Sequence, residues 1–251
     1  LRFDINKFPK FKDKIIYKVY NQIPDKVEEI LKNDDENTKS HKYIMNAVYR
    51  ENAQRNYLLE GLSKAQDDDL ILISDVDEIP NFEKFNLDSI KEKIILFEQD
   101  MFYYKFNLKL PDIKWIGTKA CKKKYFKNPQ WLRNIKDRKY PFYRIDTLFS
   151  KNKYIDVKIL NNGGWHFTNI KRPEEIEYKM RSYLHHREFD LKPINLEGIK
   201  DLMKNKKAIY DLTADKRLNK IGNGNKLENY DLNNLPDTIK NNLDKYKEWL
   251  D

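Results

Sequence analysis

A short apolar run that ends in two closely spaced carboxylates constrains this chain more than any other feature. Leu70–Ile73 is continuously apolar, and Asp75, Asp77 and Pro80 follow it. A continuous apolar run of this length is typical of a strand buried on both faces, as in a parallel sheet flanked by helices. Ligands and metals in open α/β sheets bind at the carboxyl ends of such strands. The run therefore predicts an α/β fold with a functional site directly after this strand.

The spacing of the two aspartates predicts that they act together. Side chains two residues apart in extended backbone point the same way, so we expect Asp75 and Asp77 to converge while Val76 faces the core. Adjacent carboxylates repel each other unless a cation lies between them or one of them is protonated. A hard divalent cation such as Mg²⁺ or Mn²⁺ prefers oxygen ligands and leaves positions open for phosphate oxygens. The alternative is a solvated turn, since Asp is common at such positions.

Composition limits the class of protein. The chain has 251 residues, of which 39% are hydrophobic, enough for a full core, and we interpret residues 1–251 as a single domain. No apolar stretch reaches the ~20 residues that span a bilayer, so no transmembrane segment is expected. Cys121 is the single cysteine, which excludes an internal disulfide. A single cysteine is compatible with a reducing compartment and does not establish one.

The net charge of +9 raises the question of a nucleic-acid partner. Lysines and acidic residues are interspersed along the whole chain, however, and the densest basic cluster, Lys122–Lys124, is short. Affinity for a polyanion needs clustered phosphate contacts, so no specific nucleic-acid partner is predicted. A basic field still favours a substrate that carries a diphosphate.

Hydrophobic periodicity predicts the elements around the central strand. A helical stripe covers Tyr43–Ala65, directly before that strand. A β-rich stretch spans Lys93–Leu110 and ends at Pro111, whereas residues 122–143 have little periodicity and indicate a long loop. A tight turn is expected at Asn161–Gly164, between two short strands. Further helices are expected over residues 173–186, 196–204 and 236–250.

Two charged residues lie on the apolar stripe of the first helix. Glu51 precedes Arg55 by four residues, which is the favourable order for an ion pair on one helix face. Alternatively, Arg55 points toward the end of the strand and binds a ligand phosphate. Both interpretations fit the spacing, and the sequence does not choose between them.

An ordered set of short motifs resembles one enzyme family. The set comprises Arg55–Leu59, Leu70–Pro80, Phe102–Tyr104, Trp115–Thr118, Gly163–Phe167 and Pro173–Ile176. In order and spacing these motifs are similar to glycosyltransferase family 17, the family of β-1,4-mannosyl-glycoprotein 4-β-N-acetylglucosaminyltransferase and its bacterial and viral relatives. The similarity covers the chain from about Arg50 to Ser182 and fades after Leu191.

The resemblance implies a GT-A-like single domain with a mixed, mostly parallel central sheet flanked by helices. It also implies a metal-dependent, inverting transfer of N-acetylglucosamine from UDP-N-acetylglucosamine to a glycan hydroxyl, β-1,4 by resemblance. Such folds begin with a strand and a helix that bind the uridine, and this chain starts at what corresponds to a later position. We therefore expect the given sequence to lack the first strand-helix unit, either because that unit lies outside it or because the protein does not have it. The resemblance to bacterial and viral relatives implies a cytoplasmic protein, and a Golgi-lumenal one only if an N-terminal anchor precedes Leu1.

Resemblance and residue chemistry together give candidate site residues. Asp75 and Asp77 are the expected ligands of Mn²⁺ or Mg²⁺, and Asp75 can also reach the ribose. His166 is the third candidate ligand, and the alternative is a packed histidine between its aromatic neighbours. A metal would act as a Lewis acid on the departing diphosphate, and cationic side chains add to that effect. The cationic candidates for donor binding are Arg55, Lys119, Lys171, Arg172 and Lys179.

An inverting transfer also needs a carboxylate that deprotonates the acceptor hydroxyl. Candidates for this base are Glu78, Asp100, Asp146 and Glu175, with Asp146 and Glu175 carried forward as catalytic residues. Aromatic side chains can stack on the acceptor sugar, and core packing is the alternative for each of them. The aromatic candidates are Trp115, Trp165, Tyr103 and Tyr104.

Two other functions fit part of the pattern. A haloacid-dehalogenase-like phosphatase also has a strand followed by D-x-D, but its motif expects Thr or Val two residues after the second Asp, where this chain has Ile79. A non-catalytic relative that binds a sugar nucleotide or a glycan is the other alternative, because the uridine-binding unit is expected to be lacking.

Overall fold

A computed structural model describes residues 3–182, 186–211, 221–222 and 224–251. The α-helices in this part of the chain are α1 (Glu36–Tyr57), α2 (Pro129–Asn134), α3 (Pro173–Ser182), α4 (His186–Leu191), α5 (Leu196–Lys204) and α6 (Asp237–Lys240). The strands there are β1 (Leu70–Ile73), β2 (Glu78–Pro80), β3 (Ile94–Tyr103), β4 (Leu108–Lys122), β5 (Val157–Thr168) and β6 (Glu228–Asn229). Short 3₁₀ helices lie at Ile5–Lys7, Pro9–Lys14, Leu58–Gly61, Leu87–Ser89, Lys123–Tyr125, Ile145–Thr147, Leu232–Asn234 and Leu243–Trp249.

One sheet joins the described strands in the order β1-β4-β3-β5-β2, and β6 pairs with the start of β4. Neighbouring strands are antiparallel except for β3 and β5. The prediction of a mostly parallel, GT-A-like sheet is therefore wrong, because the sheet formed by the described residues is predominantly antiparallel. The connections explain this result: only residues 104–107 separate β3 from β4, and parallel neighbours need a crossover of about a dozen residues or more.

The apolar run of β1 is covered on both faces, although its strand is antiparallel and lies at one end of the strand order. Ile71 and Ile73 belong to a core cluster that α2 covers, together with Leu132 of that helix. Leu70 and Leu72 pack on the opposite face against a second cluster. A continuous apolar run indicates burial on both faces of a strand but does not indicate whether the strand is parallel to its neighbours. The mostly parallel fold class inferred from this run was therefore wrong.

An expected strand end and an expected tight turn both lie inside continuous strands. β4 runs through Pro111, where the register between β3 and β4 shifts, and a proline is tolerated at such an interruption. The Asn161–Gly164 segment is an irregularity within β5 rather than a tight turn, with positive φ at Asn162 (53°) and Gly164 (142°). Both turns and bulges use Asn and Gly at positive φ, so the composition could not distinguish them.

Local sequence signals account for the helix boundaries. α1 begins earlier than expected because Asp35 caps it, accepting from the backbone N–H groups of Asn37 and Thr38. α5 matches its predicted bounds. The helix expected over residues 173–186 is described as α3 and α4, and residues 183–185 lie outside the described part. α3 to α5 cover one face of β3 and β4. No helix in the described ranges is long and apolar enough to cross a bilayer.

Candidate functional site

Arg133, which the sequence analysis did not single out, connects the groups around the end of β1. Its guanidinium donates to both carboxylate oxygens of Glu78, at 2.8 and 3.0 Å, and to Asp75 Oδ2 at 2.8 Å. A further bond goes to the carbonyl oxygen of Gly117. One side chain from α2 thus ties together the turn after β1, the start of β2 and the middle of β4.

The sequence contains a signal for the start of α2, the helix that carries Arg133, but this signal lies within residues 122–143, which were predicted to be a loop. Asn128 caps α2 by accepting from the backbone N–H of Trp131 at 2.8 Å, and Pro129 occupies the first helical position. An Asn-Pro pair is typical of a helix start. A helix of six residues is too short to show periodicity, so Arg133 could not be assigned to a helix face.

Glu78 is almost fully buried, with 1% of its side chain exposed. Besides Arg133, its carboxylate accepts from the indole N–H of Trp115 at 2.8 Å and from the backbone N–H of Asp75 at 2.9 Å. Burial alone would lower the pKa of Arg133, but the hydrogen bonds and charges of Glu78 and Asp75 outweigh it and raise that pKa. Glu78 is therefore a positioning residue whose oxygens are occupied, and it is not available as a free base.

Gly117 leaves the space that the Glu78 carboxylate fills. A Cβ atom at Gly117 would lie 2.3 Å from Glu78 Cδ and Oε1, and 2.6 Å from Gln99 Oε1. Gln99 is itself fully buried; its Nε2 donates to Thr118 Oγ1 at 3.3 Å, and its Oε1 has no hydrogen-bond partner among the described residues. The interior beside Glu78 is polar and tightly packed.

Arg55 pairs with Glu51, as the first interpretation of its position expected, and it also lies at the end of β1; that it binds a phosphate stays a prediction. Its Nη2 donates to Glu51 at 2.7 Å and to Asp75 Oδ1 at 3.3 Å, while Nη1 donates to Gln130 Oε1 at 2.7 Å. Asp75, with 40% of its side chain exposed, thus lies between the guanidinium groups of Arg55 and Arg133. Two arginines and three carboxylates, those of Glu51, Asp75 and Glu78, thus form one ion-pair cluster at the end of β1.

Asp77 has a separate environment. Its Oδ2 lies 3.5 Å from His166 Nε2, because β2 pairs with β5 in a register that sets Glu78 opposite His166. Burial would raise the pKa of Asp77, but the hydrogen bond and charge of His166 and the charge of Lys179 hold it below its usual value. Asp77 is thus an ionised carboxylate with imidazole and ammonium groups nearby.

The expectation that Val76 faces the core is wrong, because Val76 is fully exposed. β1 ends at Ile73, and the Glu78 backbone N–H donates to the carbonyl oxygen of Asp75 at 3.0 Å, which closes a turn. Strand alternation therefore does not apply to Asp75 and Asp77. The two aspartates contact different partners.

The three expected metal ligands are not brought together as a set. No group of three or more His, Cys, Asp or Glu side chains is placed to hold a metal ion within the residues that the structure describes. Asp75 is directed toward the two arginines, whereas Asp77 and His166 are close enough to act as two ligands. A carboxylate oxygen with an imidazole nitrogen suits Mn²⁺, so this pair fits a divalent cation that takes its other ligands from a substrate.

Lys119, one of the cations predicted to bind the donor, is buried and held by groups of the protein itself. It is 3% exposed, and its ammonium donates to Asp137 Oδ1 at 2.6 Å and to the carbonyl oxygens of Arg133 and Ile135. Burial lowers the pKa of Lys119, partly against the effect of Asp137. Lys119 thus fixes the end of α2, and with it Arg133, instead of facing a ligand.

The α3 region contributes one cation to the site. Lys179 donates to Asn169 Oδ1 at 2.9 Å and acts electrostatically on Asp77. Arg172 forms an exposed ion pair with Glu248 at 2.8 Å, and Lys171 is partly exposed. Arg55 and Lys179 are therefore the predicted cations that lie beside the two aspartates.

Two of the candidate bases are held by cations. Asp100 contacts Lys109 and Lys114, and Asp146 contacts Arg144 and Lys153. The hydrogen bonds from Arg144 and Lys153 keep the pKa of Asp146 far below its usual value. Such carboxylates are poor proton acceptors near neutral pH.

Replacing Asp100 by asparagine is expected to lower the free energy of unfolding at neutral pH by about 1–2 kcal/mol, because two partly exposed lysines lose their partner. Burial would raise the pKa of Asp100, but its hydrogen bonds to Lys114 and Lys109 hold it below its usual value. Its contribution is therefore present above about pH 4 and is lost as pH falls through the lower, folded-state pKa. Urea titrations at neutral and acidic pH check this.

The control for Asp100 is Asp68→Asn, which removes an exposed partner of Lys122 and Lys124. We expect that variant to be about as stable as the wild type at both pH values, because solvent screens exposed ion pairs. A deficit of Asp100→Asn that is independent of pH would contradict the electrostatic explanation.

Glu175 is the remaining base candidate. Its exposed carboxylate accepts from the backbone N–H of Arg172 at 3.1 Å, at the start of α3. No ion pair involves Glu175 in the described part of the chain.

One of the four aromatic candidates contacts the site residues. Trp115 donates to Glu78 and packs against His166 with 5.0 Å between ring centroids. Trp165 donates to the Asn234 carbonyl oxygen at 3.0 Å. Tyr103 and Tyr104 are buried in the core, 4% and 1% exposed, and do not present a face to a sugar.

Comparisons with protein-family models, curated proteins and solved structures find no match for this chain. The functional interpretation therefore depends on the geometry described above and on the motifs of the sequence.

Proposed function

We propose that this protein is a metal-dependent, inverting glycosyltransferase that moves N-acetylglucosamine from UDP-N-acetylglucosamine to a glycan hydroxyl. The observation that carries the proposal is the turn after β1, whose two partly exposed aspartates each contact a basic side chain. Asp75 lies between Arg55 and Arg133, and Asp77 lies beside His166. The ordered motifs that resemble glycosyltransferase family 17 supply the donor sugar and the β-1,4 linkage of this proposal.

The arginines suit the charge that develops when a sugar leaves a nucleoside diphosphate. Arg133 is held by both oxygens of the buried Glu78, so its guanidinium is positioned before any ligand arrives. Arg55 reaches Asp75 through a longer contact of 3.3 Å, which a phosphate oxygen can replace. The Nη hydrogens of Arg133 are already donated to Glu78, Asp75 and the Gly117 carbonyl oxygen. Arg133 therefore positions Asp75 and supplies a fixed positive charge that needs no reorganisation, and Arg55 is the residue proposed to donate to the diphosphate.

Asp77 and His166 are the residues that would hold a divalent cation. When bound, Mn²⁺ or Mg²⁺ supplies Lewis-acid stabilisation of the leaving diphosphate. The positive charge of Lys179 also acts on Asp77 and helps to keep it ionised. Glu175 is the proposed base for the acceptor hydroxyl, since Glu78, Asp100 and Asp146 are occupied by cationic partners.

Replacing Asp77 by asparagine is expected to weaken Mn²⁺-dependent binding of UDP-N-acetylglucosamine by about tenfold or more, which is about 1.4 kcal/mol. The reason is that the substitution removes the anionic ligand while keeping the size of the side chain. Calorimetric titration with and without Mn²⁺ measures this. Asp68→Asn is the matched control, because it removes an exposed carboxylate near the other end of β1, and we expect it to bind as the wild type does.

The result also distinguishes the alternatives. Metal-dependent binding without transfer or donor hydrolysis would identify a non-catalytic sugar-nucleotide-binding protein. Hydrolysis of a simple phosphate ester would support the phosphatase alternative. A folded protein that binds neither UDP nor UDP-N-acetylglucosamine would overturn the proposal.

A further inference from the structure

The segment between α2 and β5 forms a loop whose two ends are fastened together. We call residues 137–151 the projecting loop. At its base, the Lys136 backbone N–H donates to the Asn152 carbonyl oxygen at 2.8 Å. The indole N–H of Trp131 donates to the Lys151 carbonyl oxygen at 3.2 Å and to Tyr154 Oη at 3.0 Å. Loops with close ends and internal packing are compact Ω-loops, which are frequently functional.

The projecting loop directs large apolar side chains into solvent. Five such residues within eight positions are between 69% and 86% exposed: Phe142, Tyr143, Ile145, Leu148 and Phe149. Single exposed apolar residues are common, but a group of this size marks an interaction surface.

The charged residues of the loop pair with one another and with Lys153, which follows the loop. Arg144 and Lys153 both bind Asp146 at 2.7–3.0 Å. Their cationic groups lie 5.8 and 5.9 Å from the ring centroid of Tyr140, which is 8% exposed. These charged groups are partly exposed but neutralise one another, whereas the large apolar side chains of the loop remain in solvent. A loop that only connects α2 to β5 gains nothing from exposing apolar side chains.

The rim of this apolar surface is basic. Four exposed cations flank it and have no ion pair among the described residues: Lys136, Arg138, Lys139 and Lys151. Phe and Leu side chains that enter the interfacial region, together with Lys and Arg that remain at the lipid headgroups, are typical of reversible binding to an anionic membrane. We propose that the projecting loop docks this protein on the surface of a bilayer that contains anionic lipids.

The aliphatic residues favour a lipid over a glycan as the partner. Sugar rings stack on flat aromatic faces, and Ile145 and Leu148 offer none. Unpaired cations at the rim add an attraction to anionic headgroups that a neutral glycan lacks. Docking here is peripheral and is independent of the glycosyltransferase proposal.

A chain of side-chain contacts through Lys119 and Arg133 links the projecting loop to the candidate site. Lys119 binds Asp137, the first residue of the loop, and also the carbonyl oxygen of Arg133. Arg133 in turn binds Asp75 and Glu78. A membrane-docked loop would therefore hold the site at a short distance from the bilayer surface.

Co-sedimentation of the full chain with vesicles tests this proposal. We expect binding to phosphatidylcholine vesicles that contain phosphatidylglycerol, much weaker binding to phosphatidylcholine alone, and a decrease at high salt. Replacing Phe142, Leu148 and Phe149 together by serine is expected to reduce binding by roughly tenfold or more, because these side chains supply the apolar contact. The matched control replaces three exposed apolar residues elsewhere, Phe11, Ile23 and Leu59, by serine, and it should bind as the wild type does.

A second triple variant, in which Arg138, Lys139 and Lys151 become glutamine, should lose the preference for anionic vesicles and remain folded. Equal sedimentation of the wild type and the serine loop variant would overturn the proposal. So would a wild type that binds no vesicles but forms a dimer that the serine variant does not form, since the loop would then be a protein interface.

Discussion

Replacing Arg133 by methionine is expected to lower the free energy of unfolding by about 3–5 kcal/mol. The substitution leaves the carboxylate of Glu78 buried, with 1% of its side chain exposed, and without its cationic partner. The remaining donors, the Trp115 indole and the Asp75 backbone N–H, are neutral and cannot compensate for the charge. Urea-induced unfolding of the wild type and the variant measures the difference.

Two further variants separate the charge from the geometry at this position. Arg133→Lys keeps the charge but cannot bind both oxygens of Glu78, so we expect an intermediate loss. Adding Glu78→Gln to Arg133→Met removes the unpaired buried charge and should recover part of the stability, which a double-mutant cycle quantifies. If Arg133→Met stays within about 1 kcal/mol of the wild type, Arg133 does not hold the site together.

Replacing Gly117 by alanine is expected to lower the free energy of unfolding by about 3 kcal/mol. The added Cβ would lie 2.3 Å from Glu78 Cδ and Oε1 and 2.6 Å from Gln99 Oε1. Glu78 cannot move away easily because donors from Arg133, Trp115 and Asp75 surround it. The overlap must therefore be relieved by displacing buried polar groups. We also expect weaker binding of UDP-N-acetylglucosamine, because Arg133 would be displaced together with Glu78.

Gly61→Ala is the control for this substitution. No atom of the described residues lies within 4 Å of a Cβ built at Gly61. The change should therefore be neutral or stabilise the protein by about 0.5 kcal/mol, because alanine lowers the conformational entropy of the unfolded chain. Thermal unfolding of both variants, followed by circular dichroism, compares them. A Gly117→Ala protein as stable as Gly61→Ala would show that the contact between β4 and Glu78 is loose.

The sequence by itself determined where the site begins. A buried apolar strand at Leu70–Ile73 and polar residues directly after it could be recognised because burial and turn formation depend on local residue chemistry. The bounds of α5 and the closeness of Arg55 to Glu51 followed from helical spacing for the same reason.

Only the tertiary structure decided how the strands pair and which side chains meet. The direction of β1 depends on its neighbour β4, and a continuous apolar run is the same in parallel and antiparallel sheets. Asp75 and Asp77 face different partners because a turn begins directly after β1. Arg133 reaches Glu78 across 55 residues of sequence, a contact that no local pattern encodes. Register and long-range pairing are set by the packing of the whole chain, which is why the sequence could propose a candidate site but not which side chains meet there.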